Sequence, residues 1–188
     1  MEEARLIRGC QAGDLAHFNG LVELYQQQVY NLALRMLHDT EAAEDATQEA
    51  FLLAYRAIKK FRGGNFKAWL LHITANVCRD HLRSARRHPI GSLDDLGPDV
   101  QIQTRLTGLS ESPEDYALRV ELGQVINSGL ATLPPDQRLA VILCDIHGLT
   151  YEEIAQVAAC SVGTVRSRIS RGRARLRDYL LRHGELLP

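Results

Sequence analysis

Apolar residues recur three or four positions apart along most of the chain, and that spacing restricts it to a helical fold. Phe18, Leu21, Val22, Tyr25, Val29, Leu32 and Met36 fall on one face of a long helix. Asp39 and Thr40 supply a cap for a second helix, whose buried stripe is Phe51, Ala54, Tyr55 and Ile58 and which stops before Gly63-Gly64. A third stripe follows as Phe66, Leu70, Ile73 and Val77. The period-two alternation of a half-buried strand is hard to find. Three helices with short connections predict a small bundle over roughly 5–84, and thus a first domain over 1–84.

From Ser84 to Ser112 the periodicity fails. Gly, Pro, Ser and acids mix there with isolated aliphatics, which predicts a flexible linker over 85–112. Ser112-Pro113-Glu114-Asp115 then has the form of a helix start, with an N-cap, a first-turn proline and acids on the helix dipole. Leu118, Leu122, Val125, Ile126 and Leu130 carry that helix to Pro134-Pro135, and Leu139, Ile142, Leu143 and Ile146 mark the next, ending at Gly148. The expectation is an all-α chain of two small helical domains, the second over 113–188.

The most specific local pattern begins at Thr150. Thr150 and Glu153 form a capping box before Ile154, and a short helix to about Ala158 leads through Ala159-Cys160-Ser161 into a longer one. Val162, Val165, Ile169 and Leu176 make the inward stripe of that longer helix, while Arg166, Ser167, Ser170, Arg171 and Arg173 face outward. Short polar groups near its N-terminus suit base edges, and its arginines suit guanine or phosphate. Charge supports this reading. The net charge is −1, yet residues 161–177 hold six arginines and no acid. A neutral protein with one basic helix fits a local nucleic-acid contact. An arginine-rich helix taken alone is as readily a solvated face; cap, turn, stripe and arginines together are much more specific.

In the first half, Glu41, Glu44, Asp45 and Gln48 form an acidic and amide stripe opposite Phe51 and Ile58. Without a nearby His–carboxylate pattern this is a helix face and not an acid–base site. On the third helix Trp69, His72, Asn76, Arg79, Asp80 and Arg83 share one side, a mixture that suits unstacked single-stranded bases, although part of Trp69 belongs to the core. The pairs Cys78/His81 and Cys144/His147 lie in different domains within helices and do not converge as four zinc ligands would. No metal or other cofactor, no small-molecule substrate and no catalytic residue is expected. Four dispersed cysteines, no apolar run near the ~20 residues of a membrane span and a charged N-terminus give a cytoplasmic expectation.

Residues 133–177, with GLTYEEIA followed by SVGTVRSRISRGRARL, closely resemble the fourth region of bacterial RNA polymerase sigma factors of the extracytoplasmic-function (ECF) group. Ala159 stands where glycine is usual in the turn and Ser161 where proline is usual. AEDATQEAFLLAYRAIKKF resembles the family's second region, and FRGGNFKAWLLHITANVCRDHLRSARR its −10 segment, with His72 and His81 in places where aromatic residues are common. The resemblance implies a non-enzymatic transcription initiation factor. In that role Glu44, Asp45, Gln48 and Glu49 dock on core RNA polymerase, with Phe51 packing beside them. Trp69, Asn76, Arg79, Asp80, Arg83 and Arg86, with the Ser84–Pro89 loop, would hold single-stranded −10 DNA. Thr150, Ser161, Val162, Thr164, Arg166, Ser167, Ser170, Arg171 and Arg173 would serve the duplex −35 element. The linker, with Asp94, Asp95 and Asp99, would thread a basic polymerase channel, and an anti-sigma factor would regulate the whole. A chain ending at Pro188 is expected to have no further C-terminal regulatory domain. A self-sufficient helix-turn-helix regulator is the alternative; it leaves residues 14–83 without a ligand pocket or dimerisation heptads to explain them.

Overall fold

The protein is described by a computed structural model over residues 2–87 and 113–183, with side chains described to residue 87 and from residue 119. Among the described residues there are eight α-helices and no strand. They are α1 (Glu2–Gln11), α2 (Leu15–Leu37), α3 (Thr40–Ala57), α4 (Phe66–Arg87), α5 (Pro113–Ala131), α6 (Pro135–Val141), α7 (Tyr151–Ala158) and α8 (Val162–His183). The expected stripe residue Leu118 and the acids Asp94, Asp95 and Asp99 lie outside what is described.

The first half is the bundle α1–α4, one helix more than the periodicity suggested. Gly13, at φ 97°, breaks the chain between α1 and α2. Asp14 then caps α2 by accepting from the Ala16 amide at 2.8 Å, and Asp39 caps α3 by accepting from the Ala42 amide at 2.7 Å. The α3 face that meets α2 and α4 is a line of small residues, Ala43, Ala46, Ala50 and Ala54, all fully buried. Tyr55, expected in the buried stripe, is one step off this line and is 40% exposed, its ring edge-on to Phe18. α4 runs on to Arg87, so residues 84–87 are helical where a loop and the start of a linker were expected; residues 88–112 lie outside the described residues.

The second half is built from α5–α8. After α6 the chain makes a π-helical turn over Ile142–Ile146. The extra residue per turn rotates everything after it. Ile142 and Leu143 are buried as the stripe required, but Ile146 is turned out to 43% exposure and Leu149 enters the core in its place. Helix α8 crosses α6 at Gly172, where an added Cβ would stand 2.6 Å from Val141 Cγ2 and 3.3 Å from the Gln137 carbonyl.

The two halves pack on each other, α4 against α7 and α2 against α5 and α6. Polar side chains cross the seam to backbone acceptors. Arg138 of α6 is 7% exposed and donates to the Met36 carbonyl at the end of α2 at 2.7 Å. Its other nitrogen donates to the carbonyls of Ala131 and Leu133 at 2.7 and 3.1 Å, so one guanidinium ties the α5–α6 turn to α2. Lys67 of α4 donates to the His147 carbonyl at 2.6 Å, and Asn65 donates to Glu153 of α7 at 2.6 Å.

Two substitutions test this packing by urea unfolding. Gly172→Val, which overfills the α6–α8 crossing against the branched Val141 and backbone, is expected to destabilise the second half by about 1–3 kcal/mol. Ala159, which closes α7 in the left-handed region at φ 49°, ψ 50°, should give the opposite sign. Ala159→Gly is expected to stabilise by roughly 0.5–1 kcal/mol, because glycine meets no Cβ penalty there.

Candidate nucleic-acid interfaces and a docking groove

The helix-turn-helix is assembled by local hydrogen bonds. The Glu153 amide donates to Thr150 Oγ1 at 3.2 Å and the Thr150 amide to Glu153 Oε2 at 2.8 Å, so the capping box is closed in both directions. These bonds and the Asn65 contact hold the Glu153 carboxyl below its ordinary pKa. Ala159 and Cys160 donate back to the last carbonyls of α7, turning the chain toward α8. Ser161 caps α8 by accepting from the Thr164 amide at 3.1 Å, and its hydroxyl lies 2.9 Å from that of Thr164. A serine at this place thus does the work of starting the helix.

The inward stripe of α8 is Val165 and Ile169, both buried, with Val162 and Leu176 only half-buried. Ser161, Arg166, Ser170, Arg171 and Arg173 are exposed, and Thr164 and Ser167 half-exposed. The structure therefore leaves these expected −35 side chains of α8 exposed or half-exposed, with a difference among them. Arg171 folds back along α8 to Ser167, donating to its carbonyl and hydroxyl at 3.2 Å each. Arg173 is held by Asp145, whose hydrogen bonds push its pKa up. Thr150 is occupied as a cap. Arg166 is in none of these pairings. Arg168, which the sequence reading left out, is paired with Asp136 at 2.6 Å across the α6–α8 crossing. Nothing local in the sequence signals a partner 32 positions away.

On α4 the expected −10 residues do fall together. Trp69 packs into the core against the tilted rings of Phe61 and Phe66, with ring centroids 5.3 Å from each, and offers its remaining surface to a cleft it shares with Glu153, Gln156 and Val157 of α7. Asn76 contacts His72 at 3.2 Å and accepts from Arg79 at 3.0 Å. Burial, then Arg79, lowers the His72 pKa. Arg79 also reaches the Val157 carbonyl at 3.5 Å, and Arg83 pairs with Asp80 at 3.3 Å. Asn76, Arg79, Arg83 and Arg86 line one wall of a cleft whose other wall is Pro134, Asp136 and Arg168. The second half thus stands directly over this face.

On α3, Glu44, Asp45, Gln48 and Glu49 are exposed, with Glu49 3.3 Å from His81 of α4. Phe51 is buried, edge-on to Phe18. Beside this ridge runs an apolar groove lined by Leu15, Phe18, Val22, Phe51, Leu52 and Tyr55. Leu15 at 56% and Leu52 at 58% exposure were not foreseen; an exposed leucine beside a polar ridge is visible only once the helices are placed. The Cys–His pairs diverge. Cys78 is buried, its thiol pushed up to about 12, while His81 turns to Glu49. Cys144 lies beside Arg173 while His147 is buried at the seam.

Residues 21–88 match Sigma-70 region 2 and residues 124–176 match Sigma-70, region 4. The chain is 40% identical over 175 residues to the RNA polymerase sigma-H factor of Pseudomonas aeruginosa, covering 92% of this chain and 90% of that one. It is 39% identical to the ECF RNA polymerase sigma-E factor of Escherichia coli over 171 residues, covering 89% and 88%. Among solved structures it is similar to the sigma factor RpoE in complex with the anti-sigma factor NepR from Bartonella quintana, at 27% identity and TM-score 0.66, covering 87% of this chain and 96% of that one. It is also similar to CnrH in complex with the cytosolic domain of CnrY, at 25% identity and TM-score 0.68, covering 96% and 97%. The chain belongs to the sigma-70 family, as an ECF RNA polymerase sigma factor.

Proposed function

We propose that this chain docks on core RNA polymerase through the α3 ridge and its groove, holds single-stranded −10 DNA on α4, and reads the duplex −35 element with α8. The observation that carries the reading is the coexistence on one chain of a capped helix-turn-helix and an exposed apolar groove beside an acidic ridge. A patch of exposed leucine and aromatic surface rimmed by acids needs a partner. A self-sufficient regulator would leave it without one. Glu44, Asp45, Gln48 and Glu49 supply the charge of the dock, while Leu15, Leu52 and Tyr55 supply its apolar area.

Residues 1–87, with α4 running on to Arg87, form the polymerase-binding and −10 unit in this reading and 113–188 the −35 unit. Arg166, Arg171 and Ser170 take the base- and phosphate-contacting positions on α8, with Thr164 and Ser167 beside them. Arg173 must exchange Asp145 for a phosphate. On α4, Trp69 offers a stacking surface, Asn76 a base-edge partner, and Arg79, Arg83 and Arg86 phosphate contacts. The protein works without catalysis of its own, in the cytoplasm, where no described helix is long and apolar enough to cross a membrane. Two structural relatives were solved with an anti-sigma factor or a cytosolic partner domain. An inhibitor of that kind would act here by covering the α3 ridge or the outer face of α8.

Run-off transcription from a promoter library with core polymerase, with and without the protein, tests the reading. A discrete promoter set is expected to fire only when the protein is present. Asp45→Arg should abolish that activity while leaving −35 duplex binding unchanged. Tight promoter binding by the chain alone, with no core-dependent initiation, would return the stand-alone regulator. On −35 duplex, Arg166→Ala is expected to lower the slope of log affinity against log salt by about 1 if it holds a phosphate. Arg171→Ala should weaken binding by about 1–3 kcal/mol and relax preference at one base position.

A further inference from the structure

The seam between the two halves has an unusual polar chemistry. Among the described residues, the buried side-chain nitrogens and oxygens that lack a hydrogen-bond partner are Gln28 Oε1, Arg35 Nε, His38 Nε2, Gln137 Oε1, Arg138 Nε and His147 Nε2. Of these, Arg35 and His38 belong to α2 and its cap on one side of the seam, and Arg138 and His147 to α6 and the turn before α7 on the other. Leaving a buried polar atom unpaired costs stability. An interface that leaves several is closed but weakly so, as expected of surfaces within one chain that part during function.

The charges that face the two histidines of this seam are all cationic. His38 ends α2 in the left-handed region at φ 57° and faces Arg138 from α6, with Arg35 one turn earlier on its own helix. His147 is 7% exposed and faces Lys67 from α4 and Arg35 from α2. The carboxylates on the neighbouring elements, Glu153 and Asp136 at the seam itself among them, are bound to other partners. Asp39 caps α3, Glu153 is bonded to Thr150 and Asn65, Asp136 to Arg168, and Asp145 to Arg173.

We propose that the seam is a proton-operated latch: protonating His38 and His147 sets two further cations against Arg138, Arg35 and Lys67, parts the second half from the first and uncovers the α4 face. Burial first, and then the neighbouring cations, hold both imidazoles down to about 4. A histidine held below its ordinary value of about 6.5 contributes to the closed packing fully above that value and loses the contribution as pH falls toward 4. At pH 5 the opening equilibrium should gain on the order of tenfold from each ring, both being held at about 4. The functional consequence, exposure of a −10 face, rests on the assignment proposed above. The opening itself does not.

The test uses the full chain and no nucleic acid. Trp69, the single tryptophan, lies in the cleft shared with α7 and reports on the seam. From pH 8 to pH 5 the radius of gyration by small-angle scattering is expected to rise and the Trp69 emission to shift, with helicity by circular dichroism unchanged. His147→Gln should reduce this response, and so should His38→Asn, which keeps a residue tolerant of the left-handed region. An unchanged radius of gyration down to pH 5 would overturn the latch, as would loss of helicity before expansion or a double variant that opens with the wild-type profile. Should the variants fold poorly, an NMR titration of the wild-type imidazoles decides: values near 6.5 for both rings in the closed chain refute the proposal. A failed latch leaves the transcription reading standing, and a failed transcription reading leaves the latch measurable.

Discussion

One buried guanidinium ties the two halves of the molecule together. Arg138 places its two terminal nitrogens on carbonyls from Met36, Ala131 and Leu133, so the end of α2 and the α5–α6 turn share a single cation. Burial lowers its pKa to about 10, which leaves it charged at neutral pH. A cation taken out of water is tolerated only with such acceptors, and removing the acceptors would strand it. With α6 fixed against α2, the π-helical turn and Leu149 deliver α7 onto α4. From there follow the contacts of Lys67, Asn65 and Arg79 with the second half, and the covering of the α4 face.

This geometry divides the candidate surfaces into those that are free and those that are not. The α3 ridge and its apolar groove are open to a partner in the closed chain, and so is the outer face of α8 with Arg166 and Ser170. The α4 face is walled by Pro134, Asp136 and Arg168. In the proposed roles, docking on polymerase needs no rearrangement, whereas holding an opened −10 strand needs the halves to separate. The polar, cation-rich character of the seam suits that demand, because a well-packed apolar interface of the same extent would resist it.

Much of this was legible in the sequence, for identifiable reasons. The capping box, the serine cap of α8 and the Asp39 cap of α3 are local signals, and each folds as its residues require. Buried stripes are legible while a helix keeps its 3.6-residue turn, which is why Leu139, Ile142 and Leu143 were right and Ile146, beyond the π-helical turn, was not. Tyr55 failed for another reason: α3 packs on alanines, and a close approach on small residues moves the larger neighbour to the rim. The seam had no signature at all. Arg138 with Met36 and Lys67 with His147 lie 102 and 80 positions apart, and nothing in the pattern of one half announces the other. The same holds for Arg173, whose outward position was foreseen but whose engagement with Asp145 was not.

The claim on which the rest turns is that the closed chain cannot initiate transcription until its halves part. Asn65 and Glu153 meet across the seam at 2.6 Å, so Asn65→Cys and Glu153→Cys would set two thiols across it that a short bis-methanethiosulfonate linker joins through mixed disulfides, an oxidised form that reductant reverses. Run-off transcription with core polymerase should be lost in the oxidised double variant and restored by reductant. Equal transcription from the oxidised and reduced forms would contradict the account, since the −10 face would then be usable with the second half still in place.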